Sequence, residues 1–353
     1  MRTKNMKTTR RILSLLLLAV IATACNKDMP ALPSGSDTPP SGNELLSIRF
    51  EQPDKQPRAI TETTSLTSGI RFKVYAYNQG TVITRNTTPL AEASYQVATD
   101  NSGKIESIEN TALKLFAGIY DFYFVSYNSA IDTPTAGTGT SSSLVSGIAN
   151  GRDFLYTAMR DVAIRSTGAG EGTFTVTLSE PFKRLSSAMK VSVKAADTHP
   201  VTPTSLKVES IAVSGLSDNR SFVLGQDALE TGGQYAQGHT FPASAFTVAG
   251  DGNETNLTNP RASSDYLILP TDGSAGLHFT VTLKVSYNGE SGTPITDEEF
   301  VYEIPLTKSL LAGVRYEFAF TLTFFDHYLP GNLELDVVPF VEVPPLDTGV
   351  VGD

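Results

Sequence analysis

"LKLFAGIYDFYFVSY" (113–127) decides the fold: it holds two aromatic-rich strands' worth of residues around a turn at Ala117-Gly118. A second stretch, "LLAGVRYEFAFT" (310–321), has the same order, an Ala-Gly turn and then an aromatic-rich strand. The two lie late in the first and second halves of the 353-residue chain, where tandem related domains would place them.

Period-two patterning extends outward from both. In "LLSIRFE" (45–51), Leu46, Ile48 and Phe50 share one face; in "IRFKVYAY" (70–77), Phe72, Val74 and Ala76 do so. Further strands are expected at 172–179, 188–195, 206–215, 265–270, 277–287, 299–306, 314–324 and 333–343. Helical periodicity is scarce, with a turn or two expected only near "PFKRLSSA" (181–188). Short alternating strands broken by Gly, Pro, Asn and Asp indicate an all-β fold of antiparallel β-sandwiches. The expected division is an N-terminal domain at 45–181 and a C-terminal domain at 182–353.

The N-terminus is of a different kind. Arg2, Lys4, Lys7, Arg10 and Arg11 precede an apolar run, Ile12 to Ile21, and then the small residues Ala22, Thr23 and Ala24. This is the pattern of a secretory signal, 1–24, too short to span a bilayer. Cys25, the single cysteine, sits where cleavage would expose it, as in a bacterial lipoprotein, although the position of Ala22 usually holds Leu. Lipid on Cys25 would attach the chain to the outer membrane, since more than one acyl chain makes anchoring stable. The Pro/Gly/Ser-rich stretch 25–44 reads as a flexible tether. Removing residues 1–24 takes away five positive charges and no negative one, moving the formal net charge from -10 to -15. An acidic chain without a basic run is a poor partner for nucleic acid.

Motifs for chemistry are missing, so an enzyme is not expected, and neither is a cofactor. His199, His239, His278 and His327 are scattered without metal-ligand spacing. "STGAGEGT" (166–173) lacks the spacing of a phosphate-binding loop. "TDEEF" (296–300) reads as a solvated strand edge, and "DGNE" (251–254) could cap a turn or loosely hold calcium but lacks the spacing of a dedicated site. Glycan stacking on exposed aromatics remains open; the chain has no Trp, and its 13 Tyr residues fall mostly in strand patterns.

"EQPDKQPRAITETT" (51–64) follows the first expected strand with a Pro-rich loop that holds Arg58-Ala59, the kind of exposed loop that proteases cut. The order of "GIRFKVYAY", "LKLFAGIYDFYFVSY", "GRDFLYTAM", "PFKRLSSAMKVSVK", "VESIAVSGL", "SDYLILP" and "LLAGVRYEFAFTLTF" resembles that of the fimbrillins, subunits of the type V pili of Bacteroidales. The resemblance implies two tandem transthyretin-like β-sandwiches and export to the outer membrane and cell surface as a lipoprotein. It further implies cleavage by an arginine-specific protease, which maps onto Arg58 and leaves Ala59 as the new N-terminus. The lost strand would carry Leu46, Ile48 and Phe50. A neighbouring subunit would fill the vacated groove by donor-strand exchange, giving a head-to-tail polymer with other pilus subunits that adheres to a host or bacterial target. "LELDVVPFVEV" (333–343) is the candidate donor, with Leu333, Leu335 and Val337 on its apolar face. The alternative is a non-polymerising surface lipoprotein: a pilus anchor, or a module that binds glycan or protein. The tail "PPLDTGVVGD" (344–353) lacks the aromatic residue associated with stalk subunits, which leaves tip, accessory and anchor roles open.

Overall fold

Alternation of apolar and polar residues can be satisfied only if every strand buries one face, and two layers of sheet do so in each half of this chain. The computed structural model describes residues 45–340, apart from 53–62, 65, 101, 166–171, 198–202, 232, 251, 275, 290–291 and 325–329. Cys25, Arg58, Ala59 and the tail 344–353 lie outside the described residues. The described residues belong to one unit, Gly42–Asp353.

In the first half, a seven-stranded antiparallel sheet runs in the order Thr63–Thr64, Phe182–Arg184, Leu155–Ile164, Gly118–Ser126, Arg71–Asn78, Ala91–Val97, Ile105–Ser107. A three-stranded sheet lies over it, with the first strand, Leu46–Glu51, between Thr173–Thr177 and Lys114–Leu115. Phe50 from the small sheet meets Phe122 and Phe124 of the large one edge-on, so the two faces share a core.

The second half repeats the scheme. One sheet has Ser187–Ala195 and Arg315–Phe324 at its centre and the last described strand, Pro330–Phe340, at its edge. The other has four strands in the order Gln237–Pro242, Ser205–Leu216, Leu277–Asn288, Pro294–Leu306. Phe279 of the four-stranded sheet packs on Phe318 and Phe320 of its partner, at 5.1 and 5.5 Å between ring centroids. One apolar cluster draws only on residues 46–182 and a second only on 189–322.

Two expectations need correction. The sheets are not purely antiparallel: the first strand runs parallel to Thr173–Thr177, and Ser187–Ala195 runs parallel to Arg315–Phe324. Nor is there helix at 181–188, where Phe182–Arg184 forms strand pairs with Thr63–Thr64 and with Tyr156 and Leu155. Tertiary pairing overrides the local preference there.

A third apolar cluster takes residues from both halves. Phe222 sits between Phe154 and Tyr156, with centroids 5.4 and 4.7 Å away, and its strand Arg220–Val223 pairs with Leu144–Ile148. Asn150 adds polar ties, donating to the Ser217 carbonyl and accepting from the Leu269 amide. Nearby, Arg184 makes two parallel bonds to Asp153, from Nε at 2.6 Å and Nη2 at 2.7 Å. Asn128 and Ser186 donate to the same carboxylate, and both partners of the pair are over nine-tenths buried. Asp153→Ala leaves a buried guanidinium without its counter-charge, at a cost of about 3–5 kcal/mol. Urea denaturation should show that loss, and Asp153→Ala combined with Arg184→Met should recover part of it.

Burial raises the Tyr77 and Tyr95 hydroxyls to about 12 from an ordinary 10.0. An acid whose folded pKa is raised favours folding in its neutral form, so this contribution is complete below pH 10 and is lost as pH rises through 12. Stability measured against pH should therefore fall between those values, together with the ultraviolet absorbance change of tyrosinate formation.

Candidate functional site

The first strand, Leu46–Glu51, is the element whose removal the fimbrillin resemblance implies. Leu46, Ile48 and Phe50 are 1%, 0% and 2% exposed, whereas Arg49 and Glu51 face solvent. On one side the strand pairs along its length with Thr173–Thr177, from Ser47↔Thr173 to Glu51↔Thr177. Its other side is held less continuously, by Leu46↔Leu115, Ser47↔Lys114 and a lone bridge Glu51↔Lys104. A cleft of about 820 Å³ lies beside the strand, lined by Arg49, Glu51, Tyr95, Lys104 and Ile105 and also by Thr173 and Thr175 of the parallel neighbour.

Tyr95 closes the gap in the ladder. Its hydroxyl donates to the Ile48 carbonyl at 2.8 Å and accepts from the Leu113 amide at 2.8 Å. Its ring stacks on Phe72 and meets Phe50 edge-on, at 5.0 Å between centroids. Phe50 therefore sits among three rings, Tyr95, Phe122 and Phe124, all contributed by the opposing sheet. The strand that presents Tyr95, Ala91–Val97, was not recognised in the sequence, although "ASYQV" (93–97) does alternate Ala93, Tyr95 and Val97.

The candidate donor strand is placed at home. Pro330–Phe340 lies antiparallel on Arg315–Phe324, with Leu333 opposite Leu322, Leu335 opposite Phe320 and Val337 opposite Phe318. Leu333, Leu335 and Val337 are partly buried against the second core, while Glu334 and Asp336 are exposed. Pro339 lies in this edge strand, where a missing amide proton is tolerated.

Other motifs resolve into structure. The loop that begins with "DGNE" turns its carbonyls onto a guanidinium: Arg261 donates to Glu254, Asn256 and Asn259 at 2.7–3.1 Å. Of the oxygens considered for calcium, the Glu254 carbonyl is thus taken by an arginine. "TDEEF" lies in the edge strand Pro294–Leu306, whose outward row includes Glu299 and Glu303. His239 stacks on Tyr266 at 3.6 Å, and its burial lowers the imidazole pKa. His278 lies 3.2 Å from Glu303; His199 and His327 fall outside the described residues, as does most of "STGAGEGT". Among the described residues, no three His, Cys, Asp or Glu side chains converge as a metal site, and no helix is long and apolar enough to cross a membrane.

The fimbrillin-like family model matches residues 52–327. The chain belongs to the fimbrillin-like family. The matched span starts directly after the first strand and stops before the last, so it covers the framework between the two elements considered for exchange. Similar solved structures include a candidate cell adhesion protein of Bacteroides fragilis, 19% identical, with 84% of this chain and 98% of that one covered and a TM-score of 0.48. A fimbrial protein of Bacteroides vulgatus is 12% identical, with 84% and 99% covered and a TM-score of 0.48. The fimbrial anchor protein Mfa2 of Porphyromonas gingivalis is 12% identical, with 84% and 98% covered and a TM-score of 0.39. Comparison with curated proteins finds no match.

In this fimbrillin-like chain, Tyr95→Phe keeps the ring and removes one buried hydroxyl, stranding the Ile48 carbonyl and the Leu113 amide. A loss of about 1–3 kcal/mol is expected in denaturant unfolding. Hydrogen exchange should be faster at the Leu113 amide, and the Lys190 amide in the second half should be unaffected.

Proposed function

We propose that this chain is a structural subunit of a type V pilus, made as a lipoprotein through Cys25, cut after Arg58 and assembled by donor-strand exchange. Family membership supports the fimbrial role and a place at the cell surface, and the seat of the first strand supports the mode of assembly. In this reading 45–181 and 182–353 are tandem transthyretin-like sandwiches, and the chain contributes architecture and adhesion, with no catalysis and no cofactor.

The observation that carries the proposal is that the first described strand, six residues long, supplies three fully buried side chains to the first core. Burying Leu, Ile and Phe contributes roughly 5–9 kcal/mol, comparable with the 5–15 kcal/mol net stability of a whole domain. The strand can leave only if another replaces it. While the loop is intact, its tether keeps the strand at an effective concentration on the order of millimolar. A cut at Arg58 ends that advantage and lets an external strand compete on equal terms. The vacated edge would offer unpaired backbone to the incomer, and a head-to-tail contact of this kind builds a filament because it does not close.

The last strand bears on a second reading. Because Pro330–Phe340 is seated on its own sheet, a role without donation also fits: an anchor that keeps its lipid, or a non-polymerising module that binds glycan or protein. The test treats the purified precursor with an arginine-specific protease. Mass spectrometry should show a product that begins at Ala59, and a labelled peptide of residues 44–52 should then enter the cut protein but not the intact one. An uncut Arg58, or a cut chain that takes up no peptide, would contradict the subunit reading and leave the anchor.

A further inference from the structure

The seat of the first strand has a composition of its own, and it can be compared with the strand that this chain has to offer. Its order is apolar at Leu46, apolar at Ile48 and aromatic at Phe50. The third position is enclosed by Tyr95, Phe122 and Phe124, with ring centroids 5.0, 5.7 and 5.3 Å from that of Phe50 and interplanar angles of 83–89°. Edge-to-face geometry on three sides rewards a flat ring beyond its buried area. A branched aliphatic side chain there would leave part of the volume empty, and close-packed cores resist such voids. The Tyr95 hydroxyl adds a register mark, because it takes the carbonyl two residues before the ring.

Set against this pattern, the C-terminal strand of the same chain fits poorly. Residues 333–343 read L-E-L-D-V-V-P-F-V-E-V, with Phe340 as their single aromatic. Seating Phe340 in the ring-lined position with the strand in the direction of Leu46–Glu51 puts Val338 at the second position and Asp336 at the first. Reversing the direction puts Glu342 at the second position and Pro344 at the first. Both registers bury either a carboxylate or a carboxylate and a proline where leucine and isoleucine now lie, and an unpaired buried charge is costly. Every register that seats three apolar residues of 333–345 instead places Leu, Val or Pro between the three rings.

We infer that the first-strand seat is matched to a strand from a different polypeptide, with the pattern apolar–x–apolar–x–aromatic, and discriminates against the C-terminal strand of a second copy. This inference rests on the exchange reading above and adds to it the class of partner: the chain accepts from an unlike subunit, so a fibre built on it is heteromeric at this joint. Phe122, Phe124 and Tyr95 are then the residues that determine specificity, the first two by shape and the third by shape and register.

The test uses the full-length chain carrying Cys25→Ser, cut by the arginine-specific protease, with the protease inactivated before use. Three fluorescent peptides are titrated into it: residues 44–52, the same peptide with Phe50→Val, and residues 330–343. The native peptide should bind about tenfold or more tightly than each of the others, a difference of about 1.4 kcal/mol. The cut protein alone should remain largely monomeric in analytical ultracentrifugation. A C-terminal peptide that binds as tightly as the native one, or efficient self-assembly of the cut protein, overturns the inference while leaving strand exchange in place. Failure of all three peptides to bind overturns strand exchange itself, and this inference with it. Since the substitutions are in the peptides, the result does not depend on whether a core variant folds.

Discussion

The seating of Phe50 among Tyr95, Phe122 and Phe124 is the contact on which the rest depends. It joins the small sheet to the large one in the first half and brings the largest apolar side chain of the first strand into the core. Without that strand, the inner face of the seven-stranded sheet loses Leu46 and Ile48 as well, together with a parallel ladder to Thr173–Thr177. The fold therefore places a substantial share of the first core's apolar packing in a segment that ends at Glu51. A strand of this kind is an essential part of the core for as long as it stays, and the proposed function turns on its exchange after the cut.

The rest of the molecule is built to stay together. Phe222 inserted between Phe154 and Tyr156, the pairing of Arg220–Val223 with Leu144–Ile148, and the bonds of Asn150 to Ser217 and Leu269 tie the two halves to each other. In the proposed role such a junction is needed, because strand exchange at one end of a subunit is useful only if the other end follows. Acidic residues along the long edge strand Pro294–Leu306 serve the opposite purpose, discouraging edge-to-edge pairing in a region unconnected with the first-strand seat.

Much of this was legible in the sequence because burial on one face writes itself as alternation. Leu46, Ile48 and Phe50 were assigned to one face from spacing alone, and the structure buries all three. Tyr95 was missed because its strand, "AEASYQV", mixes small and polar residues, and its value lies in a hydroxyl that bridges segments 47 and 18 residues away. Parallel pairing of Leu46–Glu51 with Thr173–Thr177 was equally invisible, since no local pattern records a partner more than a hundred residues distant. The turn expected as helix at 181–188 failed for the same reason: its conformation is decided by strands from elsewhere. Spacing reveals which face is buried; it does not reveal against what.

The central claim is that Leu46–Glu51 can be exchanged once it is no longer tethered. Arg49 and Thr175 are exposed partners in the parallel pairing, so cysteines at both positions, with Cys25→Ser, would lock the strand in place through a disulfide. Uptake of labelled 44–52 peptide by this variant, cut after Arg58, is the most direct measurement. The account requires no uptake while the disulfide is intact and uptake after reduction; equal uptake in both states would contradict it.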